Sequence, residues 1–233
     1  LFRPGFAVQA REVTQLQTIL QKQIERYGQH AFRDGSKVLG GELTLDTDVN
    51  SLKLETQFSG TNINVASFGN GIITGASSNA RAKIVATQAA TTTTQPTVMF
   101  HYLSAKAFSD GETLTMEGTS TQANTVSSGG ASGLANSVAG GSVVSIDSGV
   151  FFVGGYFVFN TAETLILDAY SGTPSYRVGM GITESIKSSD DDSSLLDPAS
   201  GSYNYAAPGA TRYKVELALS KQETTSSNPV TAA

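Results

Sequence analysis

The sequence predicts a mainly β protein with one N-terminal α-helix, whose strands form an antiparallel sandwich or barrel-like domain. Three observations lead to this fold class. Only one stretch, near the start of the 233 residues, has a strong helical period, and roughly ten short strand-like runs follow it. Charged residues make up only 15% of the chain, and 28 Ser, 26 Thr and 24 Gly take their place. Strands and helices do not alternate, which argues against a parallel α/β sheet.

The N-terminal helix is predicted over residues 9–28. Gly28 is expected to end it, because glycine readily adopts the left-handed conformation of a helix C-cap. Apolar residues spaced by three and four positions line one face of the helix. These residues are Val13, Leu16, Leu20, Ile24 and Tyr27.

This apolar face has two interpretations. It either covers the β domain of the same chain, or packs against copies of itself or a partner chain. The other faces are rich in uncharged glutamine, and Ile19 lies off the main stripe. Such a helix suits a protein interface better than open water, so contact between chains is favoured. Residues 1–33 are therefore interpreted as an attachment or oligomerisation segment.

Residues 34–220 are predicted to form the β-rich domain. Its strands are expected where apolar and polar residues alternate, or where β-branched and aromatic residues cluster. The candidate strands lie within 43–58, 62–67, 71–75, 80–86, 97–106, 112–117, 163–168, 175–187 and 211–219.

Residues 149–159 form the most apolar segment of the chain. They are predicted to be two strands or one bent strand, with a bulge or turn at Gly154 and Gly155. Apolar residues occupy both alternating faces, which is typical of a strand covered on two sides. The segment is therefore expected to be central in a sheet, or to lie between the domain core and a neighbouring chain.

Two segments are predicted to lie outside the regular strands. Residues near 118–142 are low in complexity and are interpreted as a loop or surface insertion. Residues 221–233 are interpreted as a linker that leads out of the domain.

The connection 188–210 is long and polar, and its prolines and glycines exclude a continuous helix or strand. It nevertheless carries apolar and aromatic residues that a disordered loop seldom needs. It is therefore predicted to be an ordered arm that lies across a neighbouring subunit or folds back on its own domain. The expected anchors are Leu195, Leu196, Tyr203 and Tyr205.

Composition excludes several classes of function. The net charge of −5 argues against a nucleic-acid partner, because phosphate binding needs clustered Lys and Arg. The chain has no cysteine and only two histidines, so neither thiolate nor His-rich metal sites are expected. No apolar stretch is long enough for a membrane-spanning helix, so no membrane insertion is predicted.

No motif points to catalysis. Ser132 misses the Gly-x-Ser-x-Gly pattern of serine esterases and lies in low-complexity sequence. His101 has no obvious acidic partner and is interpreted as a strand histidine that is hydrogen-bonded or exposed. Gly69–Gly75 lacks the spacing of a dinucleotide loop and is interpreted as a β-turn with strand glycines. The sequence therefore predicts no enzyme, no catalytic residue and no cofactor.

Asp190, Asp191 and Asp192 form the densest acidic run. Adjacent carboxylates repel one another unless they are solvated or bind a hard cation such as calcium. The run lacks the alternate spacing of an EF-hand loop, so a solvated loop is favoured over a metal site.

An alternative function is a carbohydrate-binding or carbohydrate-active domain. The chain has no tryptophan, and no acidic pair of the kind that glycosidases use stands out. Tyrosines would have to supply the sugar-stacking surface. The candidates are Tyr156, Tyr170, Tyr176, Tyr203 and Tyr205.

Two blocks of the sequence carry a family resemblance. The first is FRPGFAVQAREVTQLQTILQKQI at residues 2–24, and the second combines PSYRVG at 174–179, DDSSLLD at 191–197 and NYAAPGATR at 204–212. These blocks resemble an uncharacterised domain of tailed-phage virion structural proteins, of the tail-fibre or baseplate-associated kind found in marine and cyanobacterial phages. The blocks frame nearly the whole chain, although about 60–145 is not matched by them.

This resemblance implies a non-enzymatic structural protein that anchors a tail fibre, baseplate or neck component. The expected partners are copies of the chain, as a homotrimer, and other virion tail, baseplate or neck proteins. The expected location is the virion, after assembly in the host cytoplasm. A bacterial adhesin outside phages has a similar composition and remains an alternative.

Overall fold

The computed structural model describes residues 5, 7–92, 94–127 and 137–224. Within them the chain forms helix α1 (Ala10–Ala31), fifteen strands and two short 3₁₀ helices, at Val65–Phe68 and Ser193–Leu195. The strands are β1 (Ser36–Gly40), β2 (Leu43–Lys53), β3 (Gln57–Phe58), β4 (Thr61–Asn62), β5 (Ile72–Gly75), β6 (Arg81–Gln88), β7 (Thr97–Tyr102), β8 (Thr113–Met116), β9 (Gln122–Asn124), β10 (Val138–Ile146), β11 (Gly149–Val153), β12 (Tyr156–Asn160), β13 (Glu163–Asp168), β14 (Tyr176–Lys187) and β15 (Arg212–Glu223). The predicted fold class, mainly β and antiparallel with one N-terminal helix, is confirmed for these residues.

The chain divides into two compact units, and neither unit is one continuous stretch of sequence. Unit 1 comprises Leu1–Glu42, Asp147–Ala162 and Met180–Ala218. Unit 2 comprises Leu43–Ile146, Glu163–Gly179 and Leu219–Ala233.

Unit 2 contains an eight-stranded antiparallel sheet with the strand order β13-β10-β2-β7-β6-β5-β8-β9. The sheet curls into a half-barrel, in line with the predicted barrel-like domain. Neighbouring residues of β7 point to opposite faces, as strand geometry requires. Phe100 belongs to the larger hydrophobic core, together with Leu114 of β8, whereas Met99 packs with Val49 and Val143 in a second cluster.

Unit 1 contains a smaller antiparallel sheet in the order β1-β11-β12. Gly154 and Gly155 connect β11 to β12 with φ angles of 58° and 87°, which favour glycine, so the predicted turn is confirmed. Only β11 is central in this sheet, and Phe152 on it is buried. The expectation of a central position is wrong for β12, which lies at the edge and exposes Phe159.

Strands β14 and β15 pair with each other in a two-stranded sheet. The strands expected over 175–187 and 211–219 are thus confirmed, but β15 extends to Glu223. Residues 221–223 are therefore strand rather than linker. Lys221 explains the extension, because its Nζ donates to the carbonyl oxygens of Ile166, at 3.0 Å, and Leu167. Residues 225–233 of the predicted linker lie outside the described residues.

The strand predicted over 62–67 is wrong. β4 ends at Asn62, and Val65–Phe68 form a 3₁₀ helix. The side chain of Asn64 accepts a hydrogen bond from the backbone N–H of Ala66 at 3.2 Å, and this local bond competes with strand pairing.

The ends of the predicted low-complexity insertion belong to the sheet rather than to a loop. β9 pairs with β8, and Ala123 on it is buried. β10 begins at Val138 and pairs with both β2 and β13. Residues 128–136 lie outside the described residues.

Candidate assembly surface

Helix α1 begins one residue later than predicted and ends three residues later. At its start, Glu12 accepts a hydrogen bond from the backbone N–H of Gln9 at 2.9 Å, which satisfies a free donor. At its end, the backbone N–H of Phe32 donates to the carbonyl oxygen of Gly28 at 2.7 Å. The prediction that Gly28 is the C-cap is therefore wrong, because Gly28 lies within the helix.

At Gly28 the helix lies so close to the ring of Phe152 that there is no room for a side chain. A Cβ atom at this position would lie 2.2 Å from Cε2 of Phe152. Glu25, one turn earlier, and Gln21, two turns earlier, are half-buried and share this side of the helix. We call Gln21, Glu25 and Gly28 the packed row, since this is the side on which α1 contacts its own unit.

An aromatic cluster follows the helix in unit 1. The ring of Phe32 lies 6.1 Å from that of Phe152 and 5.7 Å from that of Phe157, between centroids. The Phe152 and Phe157 rings are 5.2 Å apart. These contacts hold the end of α1 on the β11–β12 hairpin.

The predicted apolar face of α1 is exposed. We call Val13, Leu16, Leu20, Ile24 and Tyr27 the apolar stripe. The first four side chains are 45–52% exposed, and Tyr27 is 70% exposed. Ile19, which lies off the stripe, is also exposed. The stripe is therefore not the side of α1 that packs on the described strands of unit 1, and its contact with another chain stays a prediction.

The stripe is exposed because a different side of the helix makes the internal contacts. At about 100° per residue, the centre of the stripe lies roughly a quarter turn from the packed row. The positions next to the stripe include Gln17 and Gln23, whose side chains carry no charge. The ion pair of α1 lies elsewhere, between Lys22 and Glu25 at 2.6 Å. The stripe is therefore an apolar surface with neutral flanks.

The predicted arm, residues 188–210, folds into a compact loop within unit 1. Asp192 accepts a hydrogen bond from the backbone N–H of Ser194 at 2.9 Å and begins the 3₁₀ helix Ser193–Leu195. The backbone N–H of Gly209 then donates to the carbonyl oxygen of Leu195 at 2.8 Å, and Leu196 forms a β-bridge with Pro208. The arm is ordered and closes on itself.

The four predicted anchors of the arm differ in their burial. Leu195 is buried and Leu196 is half-buried, so both contribute to the fold of unit 1. Tyr203 and Tyr205 are exposed, so neither anchors the arm on its own chain. Contact of the arm with a neighbouring subunit stays a prediction.

Three of the tyrosines suggested for a sugar groove, Tyr156, Tyr170 and Tyr176, make contacts within their own units. Tyr156 and Tyr213 of unit 1 have ring centroids 5.5 Å apart. In unit 2, the hydroxyl of Tyr170 lies 2.7 Å from Thr97 Oγ1, and the hydroxyl of Tyr176 donates to Asp168 Oδ1 at 3.1 Å. Each of these tyrosines is explained by packing or hydrogen bonding within its own unit.

The other polar candidates have local structural explanations. His101 has the acidic partner that the sequence does not reveal, since its Nε2 lies 2.7 Å from Oδ2 of Asp46 on the adjacent strand. Asp191 accepts hydrogen bonds from the backbone N–H and hydroxyl of Ser188, which lower the pKa of its carboxyl. Gly69 ends the 3₁₀ helix with a φ of 46°. Ser132 lies outside the described residues.

The sequence gives no sign of a buried carboxylate at Glu112, which is only 5% exposed. Its oxygens accept hydrogen bonds from the backbone N–H and hydroxyl groups of Ser77 and Ser78, and from the backbone N–H of Ser109, at 2.7–3.2 Å. Burial alone raises the pKa of Glu112, but these hydrogen bonds outweigh it and hold the pKa below its usual range. Glu112 thus joins two loops of unit 2.

The described residues lack two further kinds of feature. They contain no helix that is long and apolar enough to cross a membrane. Nor do they contain a group of three or more His, Asp or Glu side chains placed to hold a metal ion.

Comparison with known proteins assigns the chain to a family. Residues 75–232, about two thirds of the chain, match a family described as a domain of unknown function, DUF4815. The matched region includes the arm and most strands of the curled sheet, whereas α1 precedes it. No curated protein and no solved structure matches the chain. The chain therefore belongs to the DUF4815 family.

Proposed function

We propose that the chain is a non-enzymatic structural protein of a tailed-phage virion, and that it assembles on copies of itself through the apolar stripe of α1. The observation that carries this proposal is the exposure of the stripe on a helix whose packed row lies elsewhere. An apolar surface of this kind on a long helix marks an interaction site rather than a solvated face.

Copies of the same helix are the occupants that suit the stripe best. Identical helices place identical residues near one another, so charged flanks would repel. The neutral side chains of Gln17 and Gln23 avoid this repulsion. Val13, Leu20 and Tyr27 follow one another at seven-residue intervals, the repeat that keeps an apolar seam between supercoiled helices.

The magnitude of the gain is consistent with assembly. Complete burial of a large apolar side chain contributes about 1.5–3 kcal/mol, so each half-exposed member of the stripe would contribute on the order of 1 kcal/mol. Five such side chains from each of three helices would contribute on the order of 15 kcal/mol. This is comparable to the cost of the two association steps that form a trimer, at about 4–15 kcal/mol each. A homotrimer, which the resemblance to fibre proteins implies, would bury more of the apolar stripe than a dimer would.

The assembly step is tested by a charge placed on the stripe. Leu16→Asp combined with Leu20→Asp is compared with Gln15→Asp, which adds a charge of the same sign on another side of α1. Native mass spectrometry and light scattering after size-exclusion chromatography report the oligomeric state. We expect a trimer for the unchanged chain and for Gln15→Asp, and a folded monomer for the double variant. A monomeric unchanged chain, or a double variant that assembles normally, contradicts the proposal.

The virion location needs a separate experiment. Mass spectrometry of purified tailed particles, made from the genome that encodes the chain, should detect it in a copy number divisible by three. Cryo-electron microscopy of the same particles should place it at the tail, baseplate or neck. Its absence from the particles contradicts a virion role, even if the isolated chain forms trimers.

A further inference from the structure

A polar cleft lies beside the β9 edge strand of unit 2. Three segments form it: the β3–β4 hairpin, the 3₁₀ helix Val65–Phe68 with the residues before it, and the turn that leads into β9. The cleft has a volume of about 310 Å³, at the lower end of the range for small-molecule sites. Three carboxamide residues, five hydroxyl residues and three apolar residues line it.

Each of the three carboxamide side chains of the polar cleft makes a hydrogen bond through one of its two polar atoms. Asn62 Oδ1 accepts from the side chain of Gln57 at 3.0 Å, and Asn64 Oδ1 accepts from a backbone N–H at 3.2 Å. Gln122 donates through Nε2 to Thr115 Oγ1 at 3.1 Å. A carboxamide has two donor hydrogens and one acceptor oxygen, so the amino groups of the asparagines and the oxygen of Gln122 retain bonding capacity.

These groups are available to a ligand from solution. Asn62, Asn64 and Gln122 are all exposed. They stand on regular or capped elements rather than on a free loop: Asn62 in β4, Asn64 at the start of the 3₁₀ helix and Gln122 in β9. Because their bonds fix one end of each side chain, little rotamer freedom would be lost on binding.

The lining indicates the chemical class of the ligand. No described lining residue carries a charge, so an ionised ligand would lose water without gaining a counter-charge. Carboxamides and hydroxyls together offer donors and acceptors, which a ligand rich in hydroxyl groups can use at once. Phe58 and Ile63, both half-buried, add apolar surface for the C–H groups of a sugar ring.

We propose that the polar cleft binds a neutral saccharide. The cleft has about the volume that ten water molecules occupy in liquid water. It would hold one hexose ring, and a second ring would extend into solvent. The carboxamides would bind ring hydroxyls, and Phe58 would contact the apolar face of the ring. This site lies in unit 2, so it does not depend on the apolar stripe or on assembly.

The site is tested by NMR titration of the ¹⁵N-labelled chain with four neutral probes: maltose, lactose, cellobiose and N-acetylglucosamine. Sialyllactose is the charged comparison. Gln122→Ala removes one carboxamide, and Phe58→Ala removes the ring. Thr121→Val changes a lining hydroxyl to a methyl with little change of shape, in case either alanine variant fails to fold. Gln88→Ala is the matched control, since Gln88 is a strand glutamine that does not line the cleft.

We expect at least one neutral probe to shift the side-chain amide signals of Asn62, Asn64 and Gln122 in a saturable manner. Loss of one hydrogen bond should weaken binding about tenfold in Gln122→Ala, whereas Gln88→Ala should bind as the unchanged chain does. Three results would overturn the proposal: no saturable shift with any neutral probe, tighter binding of sialyllactose than of lactose, or binding that survives every folded variant of the cleft. A negative result in the saccharide titration would not change the interpretation of the oligomer measurements on α1.

Discussion

In α1, the five large apolar side chains of the apolar stripe are exposed, as is Ile19, whereas in unit 2 the carboxylate of Glu112 is buried. Both arrangements reverse the usual preference of the residue type. The difference is that Glu112 finds all its partners within its own unit, through Ser77, Ser78 and Ser109. The apolar stripe contacts no such partner surface among the described residues of its own unit. Mutations in the core of unit 2 should therefore change mainly the stability of the fold, while mutations on the apolar stripe should change mainly association.

The largest effect is expected in the core of unit 2. Phe100→Ala should lower the free energy of unfolding by about 3–5 kcal/mol, because Phe100 is fully buried and its loss leaves a cavity. Phe159→Ala is the matched control, since that ring is mostly exposed and should change stability much less. Urea unfolding followed by circular dichroism measures both. Equal losses would mean that Phe159 is buried by contacts beyond those described.

The next effect concerns Glu112. Glu112→Gln keeps the shape but loses the charge that strengthens the hydrogen bonds, so we expect a loss of about 1.5–3 kcal/mol at neutral pH. Glu117→Gln, at an exposed residue paired with Arg81, should change the unfolding midpoint less. An equal loss of unfolding free energy in the two variants would contradict the view that burial makes the charge of Glu112 matter more than that of Glu117.

The pH dependence of folding stability tests whether the pKa of Glu112 is lowered or raised in the folded protein. The folded-state pKa of Glu112 lies below its usual value, so its contribution is complete above the usual glutamate range and is lost as pH falls through the folded value. The stability difference between the unchanged chain and Glu112→Gln should therefore be largest near neutral pH and shrink in acid. A difference that grows in acid would show that the pKa is raised instead.

A smaller effect is expected where α1 contacts its own unit. Gly28→Ala places a methyl group against the buried ring of Phe152 and should cost about 1–3 kcal/mol. Gly179→Ala is the control, because an added Cβ there meets no atom within 4 Å. Thermal unfolding of both variants tests this contact. A stabilised Gly28→Ala would mean that the helix lies further from the ring.

The smallest effect on stability is expected on the apolar stripe. Leu20→Ser should change the unfolding free energy of the monomer by less than about 0.5 kcal/mol, as is usual for exposed sites. Leu114→Ser, which alters a fully buried leucine, should cost several times more. Both are measured at concentrations where the chain is monomeric. A large loss for Leu20→Ser would place the stripe in a core instead of an interface.

Local patterns explain what the sequence could predict. The strands β13 and β14 and the apolar stripe are visible because alternation and helical spacing depend on neighbouring residues alone. The sequence could also predict the turn at Gly154 and Gly155, since glycine pairs between apolar runs favour a reversal. These features gave the fold class and the candidate surface.

The rest depends on residues that are distant in sequence. Gly28 looks like a C-cap until the ring of Phe152 is placed beside it. His101 has no visible partner until Asp46 is brought within 2.7 Å. Glu112 resembles any surface glutamate, because nothing near it in sequence indicates that Ser77 and Ser78 also donate to its carboxylate. In each case tertiary contact, rather than local propensity, decides the role.

The position of β2 also determines how the protein can be divided for expression. β2 pairs with β10 on one side and β7 on the other, yet it precedes the region that matches the family, residues 75–232. A recombinant fragment cut at residue 75 would lack this strand and nearly all of β5, which pairs with β6 and β8, so it would leave open edges at two places in mid-sheet. Open edges of this kind recruit strands from other molecules, so such a fragment should collect in inclusion bodies. The boundary of the family match is therefore not the boundary of a unit that folds.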